Sequence, residues 1–385
     1  MNPGTVLSRM MKKKLNNLDN IFMGIKKRLL PSKKAADVKT IAVCAAQVPF
    51  FKGGAEAHVN GLVKELKQRG YETELINIPY KWYPRKQLLK SIRMWEMLDL
   101  TESNGKKIDM VISTKFPSYF VRHPQKVLWL IHQYRQIYDL FDTPYSGLNP
   151  RKKQDMKFRD MIIEMDNEVL KTYDRIYTNA KNTGKRLKKF NHIDSSPLYH
   201  PPSLTGRYFC SGYGDYVLSV GRLDKLKRVD LLLKALKRCD KKIRCKIAGT
   251  GPELDDLKKK AGKLDVSGRV EFLGYVSDEK LLKLYSECGL VYFAPRDEDY
   301  GYITLEAFLS KKPVITAFDS GGPLEFVENG KNGLLFKSSD GKELAKKMEE
   351  LFFDKQKCKI FGEQGYEKVK DISWDNVIQT LVHGG

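Results

Sequence analysis

Residues 40–70 read "TIAVCAAQVPFFKGGAEAHVNGLVKELKQRG", and their rhythm decides the fold. "TIAVCAA" is an unbroken run of small and β-branched residues, the pattern of a strand buried on both faces. Gly53-Gly54 follows as a turn. Over residues 55–68 apolar side chains recur at Val59, Leu62, Val63 and Leu66, the spacing of a helix with one buried stripe. Gly70 supplies the left-handed residue that ends such a helix. "ETELINI" is the next strand. Strand, helix, strand at this spacing is a parallel pair with a crossover helix.

The same unit repeats outward. A basic helical segment over 85–100 leads to the strand "IDMVIST", and "KVLWLI" is a further strand ending at His132. Residues 155–170 read as a helix, "DRIYTNA" as a strand, 181–190 as a helix and "PLYH" as a strand. "HPPSLTGRYFCSGYGD", residues 200–215, breaks the rhythm with paired prolines and three glycines, as an interdomain linker does. The alternation then restarts: "YVLSVGR", "RCKIAG", "RVEFLG", "LVYFAP", "PVIT" and "GLLF" are strands, with helices over 229–237, 253–260, 278–286 and 302–310. "SWDNVIQTLV" is a terminal helix with Ser373 as its N-cap. The expected class is α/β: two doubly wound domains, 39–205 and 206–370, a basic leader over 1–38 and a crossover helix over 371–385.

The chain has 385 residues and a net charge of +22, from 69 Lys and Arg against 47 Asp and Glu. That balance favours anionic partners and says nothing of fold. None of the six cysteines forms a C-x-x-C pair, so reduced thiols are expected and no zinc site. No apolar run approaches the roughly 20 residues of a membrane span. In the leader, Leu18, Ile21, Phe22, Ile25 and Leu29 recur at helical spacing beside Lys26, Lys27 and Arg28. This is the pattern of an amphipathic helix on an anionic membrane, or of a helix packed on its own protein.

Open α/β sheets bind ligands outside the carboxyl ends of their strands, so the loops there carry the chemistry. Gly53-Gly54 opens a helix, a phosphate-binding arrangement that is more often a simple turn. His132 stands at a strand mouth, and His58, on the first helix, reads as structural. Arg222 and Lys227 follow the first strand of the second domain, where two cations suit a diphosphate. "IAGTGPEL" places Gly249 and Gly251 as in a dinucleotide motif, but Leu254 stands where the third glycine belongs, which excludes that reading. The loop is still expected to pass near a base. In "RDEDYGYITLEAF", residues 296–308, Glu298 falls in the loop after a strand and Glu306 in the second turn of the next helix. An E-x7-E spacing arises roughly once by chance in a chain of this size. Its context is what matters: two carboxylates can accept hydroxyls of a sugar and a ribose, and the amides of Tyr302, Ile303 and Thr304 can face an anion.

Gly53-Gly54, "GRLDKLK", "AGTGPEL", "VEFLGYV", "EDYGYITLEA" and "SGGPLEFVENGKNGLLF", followed by a final crossover helix, stand in one order. In that order the chain, over about 40–385, resembles the retaining nucleotide-sugar glycosyltransferases of family 4. The resemblance implies a GT-B fold, two Rossmann-like domains facing a cleft, with acceptor on the N-terminal domain and nucleotide sugar on the C-terminal one. It implies that Arg222 and Lys227 bind the diphosphate, Glu306 the ribose and Glu298 the transferred sugar. Tyr302, Ile303 and Thr304 would support phosphate and sugar through their amides, and Gly53 and Gly54 would admit the diphosphate. His132 would lie near the C6 hydroxyl. The catalytic group is then His132, Glu298, Arg222 and Lys227. The donor would be GDP-mannose or a UDP-hexose, with no further cofactor and no metal. The acceptor would be a glycan, lipid-linked at the inner face of the cell membrane, where the basic surface would dock a cytoplasmic enzyme. Members of the family often read E-G-F-G where this chain has "EDYG"; Asp299 is expected to add charge, and Tyr300 a hydroxyl, beside the sugar. The alternatives are a basic nucleic-acid-binding α/β protein and a GT-B sugar-nucleotide epimerase.

Overall fold

The computed structural model describes residues 38–50, 53–337 and 341–384. The leader helix expected around Leu18–Leu29 lies outside the described residues. The first half carries β1 (Thr40–Gln47), α1 (Gly54–Gln68), β2 (Glu72–Pro79), α2 (Arg85–Met97), β3 (Glu102–Ser103), β4 (Lys106–Lys107), β5 (Met110–Ser113), β6 (Lys126–Leu130), α3 (Lys153–Leu170), β7 (Arg175–Thr178), α4 (Lys181–Asn191) and β8 (Ser196–Pro197). The second carries β9 (Val217–Val220), α5 (Val229–Leu236), β10 (Cys245–Ala248), α6 (Leu254–Lys263), β11 (Val270–Gly274), α7 (Asp278–Glu287) and β12 (Leu290–Tyr292). It continues through α8 (Tyr302–Leu309), β13 (Val314–Ala317), β14 (Gly333–Phe336), α9 (Gly341–Phe352), α10 (Lys355–Val369) and α11 (Trp374–Ile378).

Two six-stranded sheets result, in the orders β2-β1-β5-β6-β7-β8 and β11-β10-β9-β12-β13-β14, and every pairing in them is parallel. Counted within its own half, the second sheet runs 3-2-1-4-5-6, the doubly wound order. The expected α/β class with two Rossmann-like halves is therefore what the chain adopts. β1 is buried at every position from Ile41 to Ala46, as a strand covered on both faces must be. Helix α1 turns His58, Val59, Leu62 and Leu66 inward. Apolar clusters fill each half: one around Val111, Leu128 and Ile162, another around Val217, Ile247 and Leu290. All six cysteines are free thiols.

Two local expectations are corrected. "PLYH" pairs only at Ser196–Pro197, because the backbone N–H and C=O of His200 bond instead to the Tyr300 hydroxyl. The helix begun at Arg85 stops at Met97, where Leu98 turns extended. The short antiparallel pair β3–β4 and the helices α9 and α10 have no counterpart in the sequence reading. At the end of the chain the Ser373 hydroxyl accepts the Asn376 amide (3.4 Å), as an N-cap should. Trp374 then lies against Gly61 of α1, where an added Cβ would meet its ring at 2.7 Å.

Candidate active site

Strand order locates the site. In the second sheet the direction of winding reverses between β9 and β12, and the loops leaving that gap diverge to leave a crevice. These are the loops holding Arg222, Lys227 and Glu298. They are stitched together: the Arg228 guanidinium reaches the Ala294 carbonyl through Nε (2.8 Å) and pairs with Asp319 (2.8 Å). Asp224 accepts the amides of Leu226 and Lys227 (3.0 and 3.2 Å), which closes a single turn carrying Lys227. Gly249 and Gly251 hold this loop from behind. A Cβ at Gly249 would lie 1.9 Å from the Gly221 carbonyl oxygen and one at Gly251 2.3 Å from that of Leu223. Only glycine permits that approach of one backbone to another.

Residues 297–301 are fixed as firmly. The amides of Asp297 and Glu298 donate to Asp319 and Ser320 (both 2.9 Å), and the Glu298 carbonyl accepts the Gly322 amide (2.7 Å). The Glu298 carboxylate is ion-paired with the Lys227 ammonium. Gly301, at φ +92°, turns the chain into α8. The amides of Tyr302 and Ile303 have no acceptor shown among the described residues, as first-turn amides do not. The expectation of a third free amide fails: Thr304 N–H donates to the Gly301 carbonyl at 2.9 Å, tightening the first turn. One turn on, Glu306 accepts the Tyr285 hydroxyl (2.7 Å), and burial pushes its carboxyl up from the usual range against that bond.

The N-terminal half contributes from the opposite side. The Tyr302 ring covers Gly54, where an added Cβ would meet it at 3.4 Å, so the Gly53-Gly54 turn meets the start of α8. His132, just after β6, gives its Nδ1 to the Gln133 carbonyl (2.9 Å). Burial pulls its pKa down, with the nearby Asp299 charge opposing. The imidazole is thus neutral with Nε2 as its accepting face. His58 is buried between Trp129 and His200, with ring centroids at 3.9 and 4.1 Å, and burial holds it well below its usual pKa.

The "EDYG" expectation is corrected on both counts. Asp299 brings no uncompensated charge, because it pairs with Arg186 (2.7 Å) and Arg135 (3.5 Å). Despite the desolvation that opposes it, those guanidiniums hold its carboxyl far below the usual range. The Tyr300 hydroxyl is spent on the His200 backbone, accepting its N–H (3.0 Å) and donating to its carbonyl (2.5 Å), while the two rings stack at 4.6 Å. Arg135 and Arg186 therefore belong to the surroundings of the site, and the sequence reading missed both. Lone basic or amide residues within helical segments carry no signal among 69 Lys and Arg.

The comparisons fit this arrangement. Residues 212–368 match the model of the family "Glycosyl transferases group 1". That segment of the second half is thus similar to the group 1 glycosyl transferases. The chain is 32% identical over 200 residues, 52% of either chain, to the uncharacterized glycosyltransferase MJ1178 of Methanocaldococcus jannaschii. It is 26% identical over 313 residues to the alpha-1,3/1,6-mannosyltransferase ALG2 of Dictyostelium discoideum, covering 70% of this chain and 72% of that one. The chain spans about half the length of the first of these relatives. Among solved structures, sucrose-phosphate synthase from Thermosynechococcus elongatus superposes with a TM-score of 0.72 at 16% identity, over 89% of this chain and 97% of that one. Anabaena HepE, in complex with UDP and glucose, does so with 0.65 at 17%, over 89% and 98%. These likenesses are of fold.

Proposed function

We propose that the chain is a retaining hexosyltransferase that moves a sugar from a nucleoside-diphosphate donor to a glycan acceptor. The observation that carries the reading is the Lys227–Glu298 ion pair at the crevice of a doubly wound sheet, with the start of α8 beside it and Glu306 one turn further. A donor lying along that line would meet a carboxylate for the sugar, cations and helix amides for the diphosphate, and a carboxylate for the ribose. Lys227 and Glu298 neutralise each other until the donor parts them, each then taking a partner of its own. Arg222, Lys227 and the amides of Tyr302 and Ile303 would stabilise the charge that grows on the leaving diphosphate. The acceptor hydroxyl attacks the anomeric carbon from the face the phosphate leaves, and the departing phosphate oxygen takes its proton. Glu298 binds and does not become glycosylated. His132, neutral and with its Nδ1–H held by the Gln133 carbonyl, would accept a hydrogen bond from the sugar's C6 hydroxyl at Nε2.

GDP-mannose and UDP-hexoses are the donors this reading admits; the UDP and UDP-glucose complexes of HepE and the mannosyltransferase name of ALG2 support the pair. The match to the lipopolysaccharide core glycosyltransferase LpsE of Rhizobium meliloti supports a cell-surface acceptor, built on lipid. No described helix is long and apolar enough to cross a membrane. Trp82, Tyr83, Met94 and Met97 are nonetheless exposed among Lys81, Lys86, Lys90 and Arg93 on and before α2. That surface, with the leader over 1–38, would seat a cytoplasmic enzyme on the anionic inner face of the membrane. The domain roles follow: 39–205 for acceptor, 206–370 for donor, 371–385 crossing back.

The test is to incubate the full chain with labelled UDP-glucose or GDP-mannose and lipid extract, then separate the products. Label entering a glycolipid with anomeric configuration kept is the expected result. Label recovered only in an altered nucleotide sugar would make it an epimerase, and label unmoved with every nucleotide sugar would end the proposal.

A further inference from the structure

The loop that presents Glu298 is gripped by the other half of the chain. Asp297 and Asp299, its immediate neighbours, face away from Lys227 into a cluster of charges. Arg186, on α4 and only 4% exposed, places Nη1 2.7 Å from Asp299 and Nη2 3.4 Å from Asp297. Arg135, in the turn after β6, donates to the Asp297 carbonyl (2.9 Å) and lies 3.3 Å from its carboxylate and 3.5 Å from that of Asp299. Asp139 orders both guanidiniums, accepting Arg135 Nε (2.9 Å) and pairing with Arg186 Nε (3.1 Å). One turn earlier on α4, Asn182 donates to the Asp297 carboxylate (2.7 Å) and the Glu298 carbonyl (3.0 Å). The first amides of α4, at Lys181 and Asn182, are capped by Glu325 from the second half (2.8 and 2.7 Å).

The Glu298 backbone is thus held between two bodies. On one side it pairs with Gly321; on the other Asn182, Arg135 and Arg186 hold its carbonyl and both flanking carboxylates. Asp297 keeps a left-handed backbone, φ +45°, a conformation that an aspartate holds only where its surroundings compensate the strain. A planar guanidinium that meets two carboxylates at once fixes direction as well as distance. A shift of α4 or of the turn after β6 therefore moves Glu298 relative to Lys227.

We propose that Arg186 and Arg135 are positioning residues for sugar transfer: through Asp297 and Asp299 the acceptor-side half sets the place of Glu298, so that the donor-sugar loop takes its working form only while the two halves are engaged. The inference rests on the proposed function for its catalytic consequence and stands apart from it in its mechanical one. Arg186 and Arg135 touch no reacting atom. They make donor activation conditional on the presence of the half that carries the acceptor, which suppresses transfer to water when the halves part.

The test uses the full chain, with Arg186→Ala, Arg186→Lys and the near-isosteric Asp299→Asn. Hydrogen exchange of the segment 296–301 gives the mechanical readout. In the Ala and Asn variants the amides of Asp297 and Glu298 are expected to exchange at least about tenfold faster, while those of β1 and β9 keep their protection. Turnover gives the catalytic one, as release of UDP from UDP-glucose or GDP from GDP-mannose. Here kcat is expected to fall at least about tenfold with donor KM changed by less than about threefold, Arg186→Lys recovering part of the loss. Arg186→Ala combined with Asp299→Asn is expected to do no more harm than either alone. Unchanged exchange at 297–298 in both single variants overturns the proposal. So does a fall in activity that appears wholly in KM, or one that Arg186→Lys leaves as deep as Arg186→Ala. Wild-type chain that cleaves neither nucleotide sugar would count against the proposed function, with the exchange result still deciding the grip on Glu298.

Discussion

Replacing Glu306 by glutamine should move stability and donor affinity in opposite directions. The side chain is part-buried at the second turn of α8, where it accepts the Tyr285 hydroxyl at 2.7 Å. An ionised carboxylate offers about four acceptor positions, so after Tyr285 it can still take both hydroxyls of a ribose diol. The carbonyl oxygen of a glutamine offers two, of which Tyr285 would occupy one. The Glu306→Gln substitution therefore loses one charge-assisted bond to the ribose, worth roughly 1.5–3 kcal/mol, and nucleotide affinity should fall about 10- to 150-fold. The free protein should gain. Burial raises the Glu306 carboxyl pKa, so its contribution to folding is full below the unfolded value and is lost as pH rises through the higher folded one. An uncharged amide of the same shape escapes that loss, and the variant's melting temperature should exceed the wild type's most clearly at alkaline pH. Nucleotide affinity in the wild type should rise with pH through the same titration and stay flat in the variant. Calorimetric titration of UDP and GDP, beside thermal melts across pH, measures both. Equal affinity in the two proteins, or a variant that melts lower at alkaline pH, would refute the ribose assignment and the electrostatic reasoning together.

Tyr300→Phe removes the hydroxyl that bridges the backbone of His200. It should cost about 1–3 kcal/mol of stability, read in denaturant, and leave the choice between donor sugars unchanged. Gly249→Ala would put a methyl 1.9 Å from the Gly221 carbonyl at a backbone of φ +142°. The Arg222–Lys227 loop must then shift, and both melting temperature and nucleotide binding should drop. Asp166, buried under the hydroxyls of Tyr119 (2.9 Å) and Tyr138 (2.6 Å), has its carboxyl pushed up to about 7 by desolvation. Its contribution to stability is full below about pH 4 and falls as pH rises through 7, by a few kcal/mol, and Asp166→Asn should flatten that slope in urea melts.

The two sheets were legible because their strands are continuous apolar runs and their crossovers are short amphipathic helices. Both features are local. "PLYH" misled because its backbone partner is a side chain 100 residues away, the Tyr300 hydroxyl, which no local pattern announces. The positions of Arg222, Lys227, Glu298 and Glu306 around one crevice were legible for a topological reason: each follows a strand that flanks the reversal of the sheet or opens the helix after it. The surroundings were not. Asp299 read as a spare charge because Arg186 stands 113 residues earlier in the chain, and its pairing depends on how the two halves meet. Gly249 and Gly251 read as part of a nucleotide loop, whereas the backbone they admit is that of Gly221–Leu223.

The most direct measurement is a calorimetric titration of UDP-glucose and of GDP-mannose into the full chain and into its Lys227→Ala and Glu306→Ala variants. Saturable binding of one of the two donors, weakened at least about tenfold in each variant, is the predicted result. Binding that neither substitution alters, or no binding of either donor to the wild type, would contradict the assignment of the β9–β12 crevice as the donor site.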